Sequence, residues 1–130
     1  MEIGKLMSTN PITLFPEDPV LEKVQLLDEN SIHHIPVVTE GGDLIGIISS
    51  YDVEKLTSVM SSISEFSRSI LARDIMSKPV FSFYETVSVK EAASAMIENG
   101  INAIVVMDEN DNISGILTSS DLLRYLAQID

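Results

Sequence analysis

Two short stretches carry residues able to do chemistry. Gly115-Ile116-Leu117-Thr118-Ser119-Ser120-Asp121 reads as a strand running into a helix, and Gly46-Ile47-Ile48-Ser49-Ser50-Tyr51-Asp52 repeats its pattern. A Ser or Thr followed three residues later by a carboxylate is a helix-capping signal: the hydroxyl accepts an N–H of the first turn and the acid favours the positive end of the helix dipole. The same geometry suits a ligand. Free N–H groups at a helix start receive phosphate, and a carboxylate one turn on accepts hydrogen bonds from both hydroxyls of a ribose. Glycine at the mouth of both copies, Gly46 and Gly115, favours the ligand reading.

The elements that must position these residues are themselves duplicated. An offset of 69 residues relates Asp52 to Asp121, Gly46 to Gly115, Met7 to Met76, Ile32 to Ile101 and Asn30 to Asn99. The chain is therefore a tandem repeat, expected to divide into a first motif over 1–62, a linker over 63–72 and a second motif over 73–130 that together form one compact module. Each repeat is expected to run β, α, β, β, α. In the first, Ile12-Thr13-Leu14 is extended. Asp18 is the expected N-cap, with Pro19 at the first helical position, and Val20, Val24 and Leu27 share a face up to Asn30. Ile35 to Val38 and Leu44 to Ile48 form a hairpin around Glu40-Gly41-Gly42-Asp43, with Pro36 suited to an edge. A helix starts near Ser50, and apolar residues from Val53 through Leu56, Met60, Ile63 and Phe66 to Ile70 keep helical spacing.

In the second repeat Val80 to Phe83 is extended and Ser88 with Glu91 forms a capping box. Val89, Ala93 and Met96 make the buried face, and Asn99-Gly100 stops the helix. Ala103 to Met107 and Ile113 to Thr118 are the hairpin strands, joined by a polar turn over Asp108 to Asn112.

Composition removes several function classes. A formal charge of −12, from 20 acidic and 8 basic residues, argues against a nucleic-acid or anionic-membrane surface. The absence of cysteine removes disulfides, thiolate zinc sites and a cysteine nucleophile. With no long apolar run and no signal-peptide pattern at Met1-Glu2-Ile3-Gly4, a soluble, cytoplasmic protein is expected. Asp108 to Asn112 resembles the start of a calcium loop, but Ile113 stands where glycine is needed and Ser119 where a bidentate glutamate belongs. His33 and His34 are adjacent and point to opposite faces of a strand, so they cannot share a metal. No phosphate-binding glycine-lysine loop or nucleophile elbow occurs, and no serine has a signalled base. The chain is not expected to be an enzyme.

Met7-Ser8-Thr9-Asn10-Pro11-Ile12-Thr13, His34-Ile35-Pro36-Val37-Val38 and Gly46 to Asp52, with Met76 to Ser82 and Gly115 to Asp121 in the second copy, resemble CBS motifs, named after cystathionine beta-synthase. Together they resemble a CBS pair, or Bateman module, from about Gly4 to Leu126. The resemblance implies an α/β (α+β) fold of tandem β-α-β-β-α repeats related by pseudo-two-fold symmetry. It also implies a regulatory role in which AMP, ADP or ATP binds as a regulatory ligand, with no required cofactor, in two clefts that mix the repeats.

One cleft would use Ile116, Thr118, Ser120 and Asp121 with Ile12, Ile32 and His33; the other would use Ser49, Tyr51 and Asp52 with Val80, Ile101 and Asn102. The Asp121 cleft is favoured, because Tyr51 is bulky where Ser120 is small and His33 can carry charge where Asn102 cannot. Lys5 and Arg124 are candidates to add positive charge there, with a solvated surface role as the alternative. The acidic surface tilts the ligand toward AMP. A homodimer and an unidentified regulated protein are the expected partners. The competing reading is a ligand-free dimeric scaffold or interaction module in which both aspartates only cap helices.

Overall fold

The computed structural model describes residues 1–21, 23, 34–60, 70–78 and 80–129, with backbone alone for 56–60. Among the expectations, those on Val24, Leu27, Asn30, Ile32, His33, Ile63, Phe66 and Pro79, and on the side chains of Leu56 and Met60, lie outside the described residues. The chain folds as two compact units, one of Met1–Pro11 with Phe81–Asp130 and one of Ile12–Val80.

The first unit holds a 3-10 turn (Ile3–Lys5), β1 (Ser8–Thr9), β4 (Ser82–Tyr84), α3 (Val89–Asn99), β5 (Ala103–Met107), β6 (Ile113–Thr118) and α4 (Ser119–Gln128). Its sheet runs β1-β6-β5-β4, with β4 parallel to β5 and the other pairs antiparallel. The uninterrupted aliphatic run Ile104-Val105-Val106 is fully buried, as a strand covered on both faces requires. Ile3, Ala92, Met96, Ile104, Val106, Leu117 and Leu122 form the core.

Local chemistry fixes the ends of α3. Ser88 Oγ accepts from Glu91 N–H at 3.1 Å, and Gly100 takes the left-handed conformation (φ 62°, ψ 36°) that closes the last turn. Of the expected capping box, this serine arm forms; no return bond from the Glu91 carboxylate occurs among the described residues. Between β5 and β6, Asp108 Oδ1 accepts from the N–H groups of Asn110 and Asn112 at 2.9 and 3.0 Å. That carboxylate closes the polar turn.

The second unit holds the antiparallel hairpin β2 (His34–Val38) and β3 (Leu44–Ser49), followed by α1 (Ser50–Met60) and α2 (Ala72–Ile75). Its core is Leu14, Val20, Ile35, Val37, Ile48, Val53 and Ala72. Leu14 makes a single parallel bridge to Val37, shorter than the expected strand. Pro36 lies mid-strand, yet on the edge strand of a two-stranded sheet. Its carbonyl accepts from Leu14 N–H at 3.0 Å on the outer side, where a missing proline N–H is tolerated.

The start of the first helix differs from the sequence expectation. Helical backbone begins at Val20 rather than Pro19, which bridges Leu71. Asp18 uses its carboxylate to accept from Phe15 N–H at 2.8 Å, closing a preceding turn instead of capping the helix.

The compact units do not coincide with the sequence repeats, because each repeat's opening segment packs into the other's unit. Ser8 pairs with Ile116 and Thr9 with Gly115; in the symmetric position Ser77 bridges Ile47. Ile3 N–H donates to Val87 O and Gly4 N–H to Glu85 O, just as Ala72 N–H donates to Asp18 O and Arg73 N–H to Pro16 O. Apart from Thr9–Gly115, each of these pairs is related to its counterpart by the same repeat offset, so the exchange obeys the internal symmetry.

Candidate functional site

The duplicated motif sits where β6 enters α4 and where β3 enters α1. In the second copy Thr118 is the N-cap, in extended conformation (φ −115°, ψ 165°), and its box with Asp121 is complete. Thr118 N–H donates to Asp121 Oδ2 at 2.9 Å, Thr118 Oγ1 donates to the same oxygen at 3.1 Å, and Asp121 N–H returns to Thr118 Oγ1 at 3.3 Å. Asp121 Oδ1 is held by the Arg124 guanidinium at 2.9 Å. The carboxylate is 5% exposed while Arg124 is 67% exposed, so a buried anion is paired with a cation that reaches in from water.

The first copy is plainer. Ser49 N–H donates to Asp52 Oδ2 at 3.1 Å and Asp52 N–H donates to Ser49 Oγ at 3.1 Å, and the carboxylate is only half-buried. Tyr51, expected to crowd this site, is 69% exposed.

The helix N-terminus at Asp121 is less open to phosphate than the sequence suggests. Ser119 N–H donates to Asn102 O at 3.0 Å and Asp121 N–H is taken by Thr118. Among the described residues that leaves Ser120 N–H as the first-turn donor without a bond of this kind, beside an exposed Ser120 side chain.

The favoured set is thus assembled in part: Ile116, Thr118, Ser120 and Asp121 lie together at the β6–α4 junction, with Ile116 buried. Ile12 is a half-buried residue of the other unit, and Ile32 and His33 lie outside the described residues. In the second set Ser49, Tyr51 and Asp52 lie together at the β3–α1 junction, with Val80 half-buried at the end of the same unit. Ile101 packs against the core of the first unit and Asn102 binds the start of α4 through its carbonyl.

Two contacts at the site have sequence signals of their own. The sequence offers Arg124 as general positive charge or as a solvated surface residue, although its i,i+3 spacing from Asp121 signals a direct pair. Gly46 and Gly115 have a packing role in place of the expected ligand mouth: a Cβ at Gly46 would come within 2.5 Å of Met76 Sδ and one at Gly115 within 2.5 Å of Ser8 O and 2.6 Å of Met7 Sδ. The shared offset of the glycines and methionines was the available signal.

Among the described residues no group of three or more His, Asp or Glu side chains could hold a metal ion, and no helix is long and apolar enough to cross a membrane.

Two hairpin-helix units, each clasped by the other repeat's opening segment, define a tandem CBS pair. The CBS domain family model matches residues 3–57 and 72–128, and the chain belongs to that family. Among solved structures it is similar to the CBS domain pair of protein MJ0100 in complex with 5'-methylthioadenosine and S-adenosyl-L-methionine, at 28% identity and a TM-score of 0.81, covering 97% of this chain and 99% of that one. An uncharacterized protein of Methanopyrus kandleri, MK0525, is 32% identical over 95% of this chain and 62% of its own length. A homoserine O-acetyltransferase of Methanocorpusculum labreanum is 32% identical over 94% of this chain but only 23% of its own length. The chain thus spans less than two thirds of these two curated relatives.

Proposed function

We propose that this chain is a regulatory module that binds an adenosine-bearing ligand, AMP ahead of ADP and ATP, at Asp121. Ile116, Thr118 and Ser120 form the near lining, with Ile12, Ile32 and His33 as the further one. The observation that carries this reading is the state of the Asp121 carboxylate. Capping uses Oδ2 alone, and Oδ1 retains acceptor capacity beside a displaceable arginine. A carboxylate oxygen with that capacity suits a ribose diol. The ligands in the MJ0100 complex are adenosine derivatives, which supports the same class here. The role is binding rather than catalysis, and the activity in the acetyltransferase's name is not carried to this chain. A second site at Asp52, with Ser49, Tyr51, Val80, Ile101 and Asn102, belongs to the same proposal.

Titration calorimetry with AMP, ADP, ATP and S-adenosylmethionine tests it. Saturable binding is expected, weakened at least about tenfold by Asp121→Ala, since charge-assisted hydrogen bonds are lost. Binding unaffected by that substitution removes the site. Should no ligand bind or raise the melting temperature, the dimeric scaffold is the better reading. That reading is favoured by Ile97 on α3, 82% exposed, and by Leu123 and Leu126 on the adjoining α4, 65% and 59% exposed.

A further inference from the structure

We propose that Arg124 makes the Asp121 site select ligands carrying an anionic group, by masking Asp121 Oδ1 until such a group re-pairs its guanidinium. The inference rests on the adenosine-ligand reading of that site. Asp121 Oδ2 is committed to Thr118, so a ligand diol has to use Oδ1, which Arg124 already holds at 2.9 Å. Arg124 lies three residues on in the same helix, and side chains of a helix lean toward its N-terminus. Among the described residues the guanidinium makes this one contact, and at 67% exposure it is free to turn.

A neutral nucleoside that takes Oδ1 leaves the guanidinium to water. Giving up a pair with one exposed partner weakens binding by roughly twofold to fivefold. A nucleoside monophosphate returns a charge-assisted bond to the same guanidinium, for a gain of about tenfold or more. In a chain with 20 acidic and 8 basic residues, a guanidinium at this point offsets locally some of an otherwise repulsive surface.

The test measures dissociation constants of adenosine and AMP for the full chain, for Arg124→Gln, for Arg124→Lys and for Asp121→Ala, with melting temperatures as the check on folding. Wild type is expected to prefer AMP by about tenfold or more. Arg124→Gln is expected to tighten adenosine by about twofold to fivefold, to weaken AMP and to bring the two close together, while Arg124→Lys keeps part of the preference. If Asp121→Ala weakens both ligands but Arg124→Gln leaves their ratio unchanged, the Arg124 inference is overturned and the adenosine site stands. If Arg124→Lys behaves as Arg124→Gln does, charge is not the cause and the inference likewise falls. If wild type binds neither ligand, both readings fall together.

Discussion

Replacing Asp121 by alanine in the ligand-free protein should cost more stability than replacing Asp52, and the difference can be worked from the two boxes. Asp121→Ala removes the acceptor of Thr118 N–H (2.9 Å), the acceptor of Thr118 Oγ1 (3.1 Å) and the partner of Arg124. The first loss leaves a part-buried N–H without its bond, worth about 1–2 kcal/mol. The hydroxyl can turn to another acceptor, and the arginine, two-thirds exposed, contributes no more than about 0.5 kcal/mol. The sum is about 2 kcal/mol. Asp52→Ala removes one bond, from Ser49 N–H at 3.1 Å, to a half-buried carboxylate, for about 1 kcal/mol. Urea denaturation of the two variants measures the gap, and thermal melts should show Asp121→Ala lower than Asp52→Ala by about 3–5 °C. Because little of the effect is an exposed ion pair, about 1 M salt should leave the ordering intact. Equal losses, or a larger loss for Asp52→Ala, would refute the claim that burial and the extra bonds at Asp121 are structural assets.

The glycines of the motif give a second comparison. A Cβ at Gly115 meets the Ser8 backbone carbonyl at 2.5 Å as well as the Met7 side chain, whereas the three nearest atoms to one at Gly46 are Sδ, Cγ and Cβ of Met76. Gly115→Ala should therefore cost about 1–3 kcal/mol and resist rescue by Met7→Ala, while Gly46→Ala is rescued in part by Met76→Ala, which removes Sδ and Cγ but leaves Met76 Cβ at 2.9 Å. Double-mutant denaturation checks both arms. For pH, the hydrogen bond from Tyr84 Oη to Asp111 Oδ1 (2.6 Å) raises the Tyr84 pKa above its ordinary 10.0, with Asp111's negative charge acting in the same sense. Its folded-state proton is held more tightly, so the contribution is complete below the unfolded value and is lost as pH rises through the folded one. Ultraviolet titration should show one of the three tyrosines ionising late, and Tyr84→Phe should remove that step.

The second repeat was legible almost residue by residue, because its signals are local. Ala103 to Met107 and Ile113 to Thr118 are bounded by a polar turn, and Ser88 and Gly100 mark the ends of α3 through chemistry within a few residues. The first repeat misled where a proline carried the reading. Pro19 has the φ for a helix start, but Asp18 had already spent its carboxylate on Phe15, a choice set by the turn and invisible to spacing. The exchange of opening segments was hidden for a different reason. Periodicity says which face of Ser8 or Ser77 is apolar, not which of two nearly identical hairpins it joins. At the site, both aspartate boxes were legible, whereas the occupancy of Ser119 N–H by Asn102 is a tertiary contact with no local signal.

These contacts change what the duplication is evidence for. Paired glycines looked like room for a ligand's close approach, yet Met7, Ser8 and Met76 already fill that space, so packing of the exchanged segments explains Gly46 and Gly115 without any ligand. The capping boxes likewise account for Ser49, Asp52, Thr118 and the Oδ2 atom of Asp121. What capping leaves unexplained is narrower: a carboxylate 5% exposed whose second oxygen faces an arginine that is mostly in water. A cap gains little from such a pair, since one exposed partner limits its worth. A binding site gains a charged group that can change partners at the moment a ligand arrives. Asp121 with Arg124, rather than the repeated motif as a whole, is therefore the part of the chain that ligand binding would explain, and comparison of adenosine with AMP across the Arg124 variants tests it.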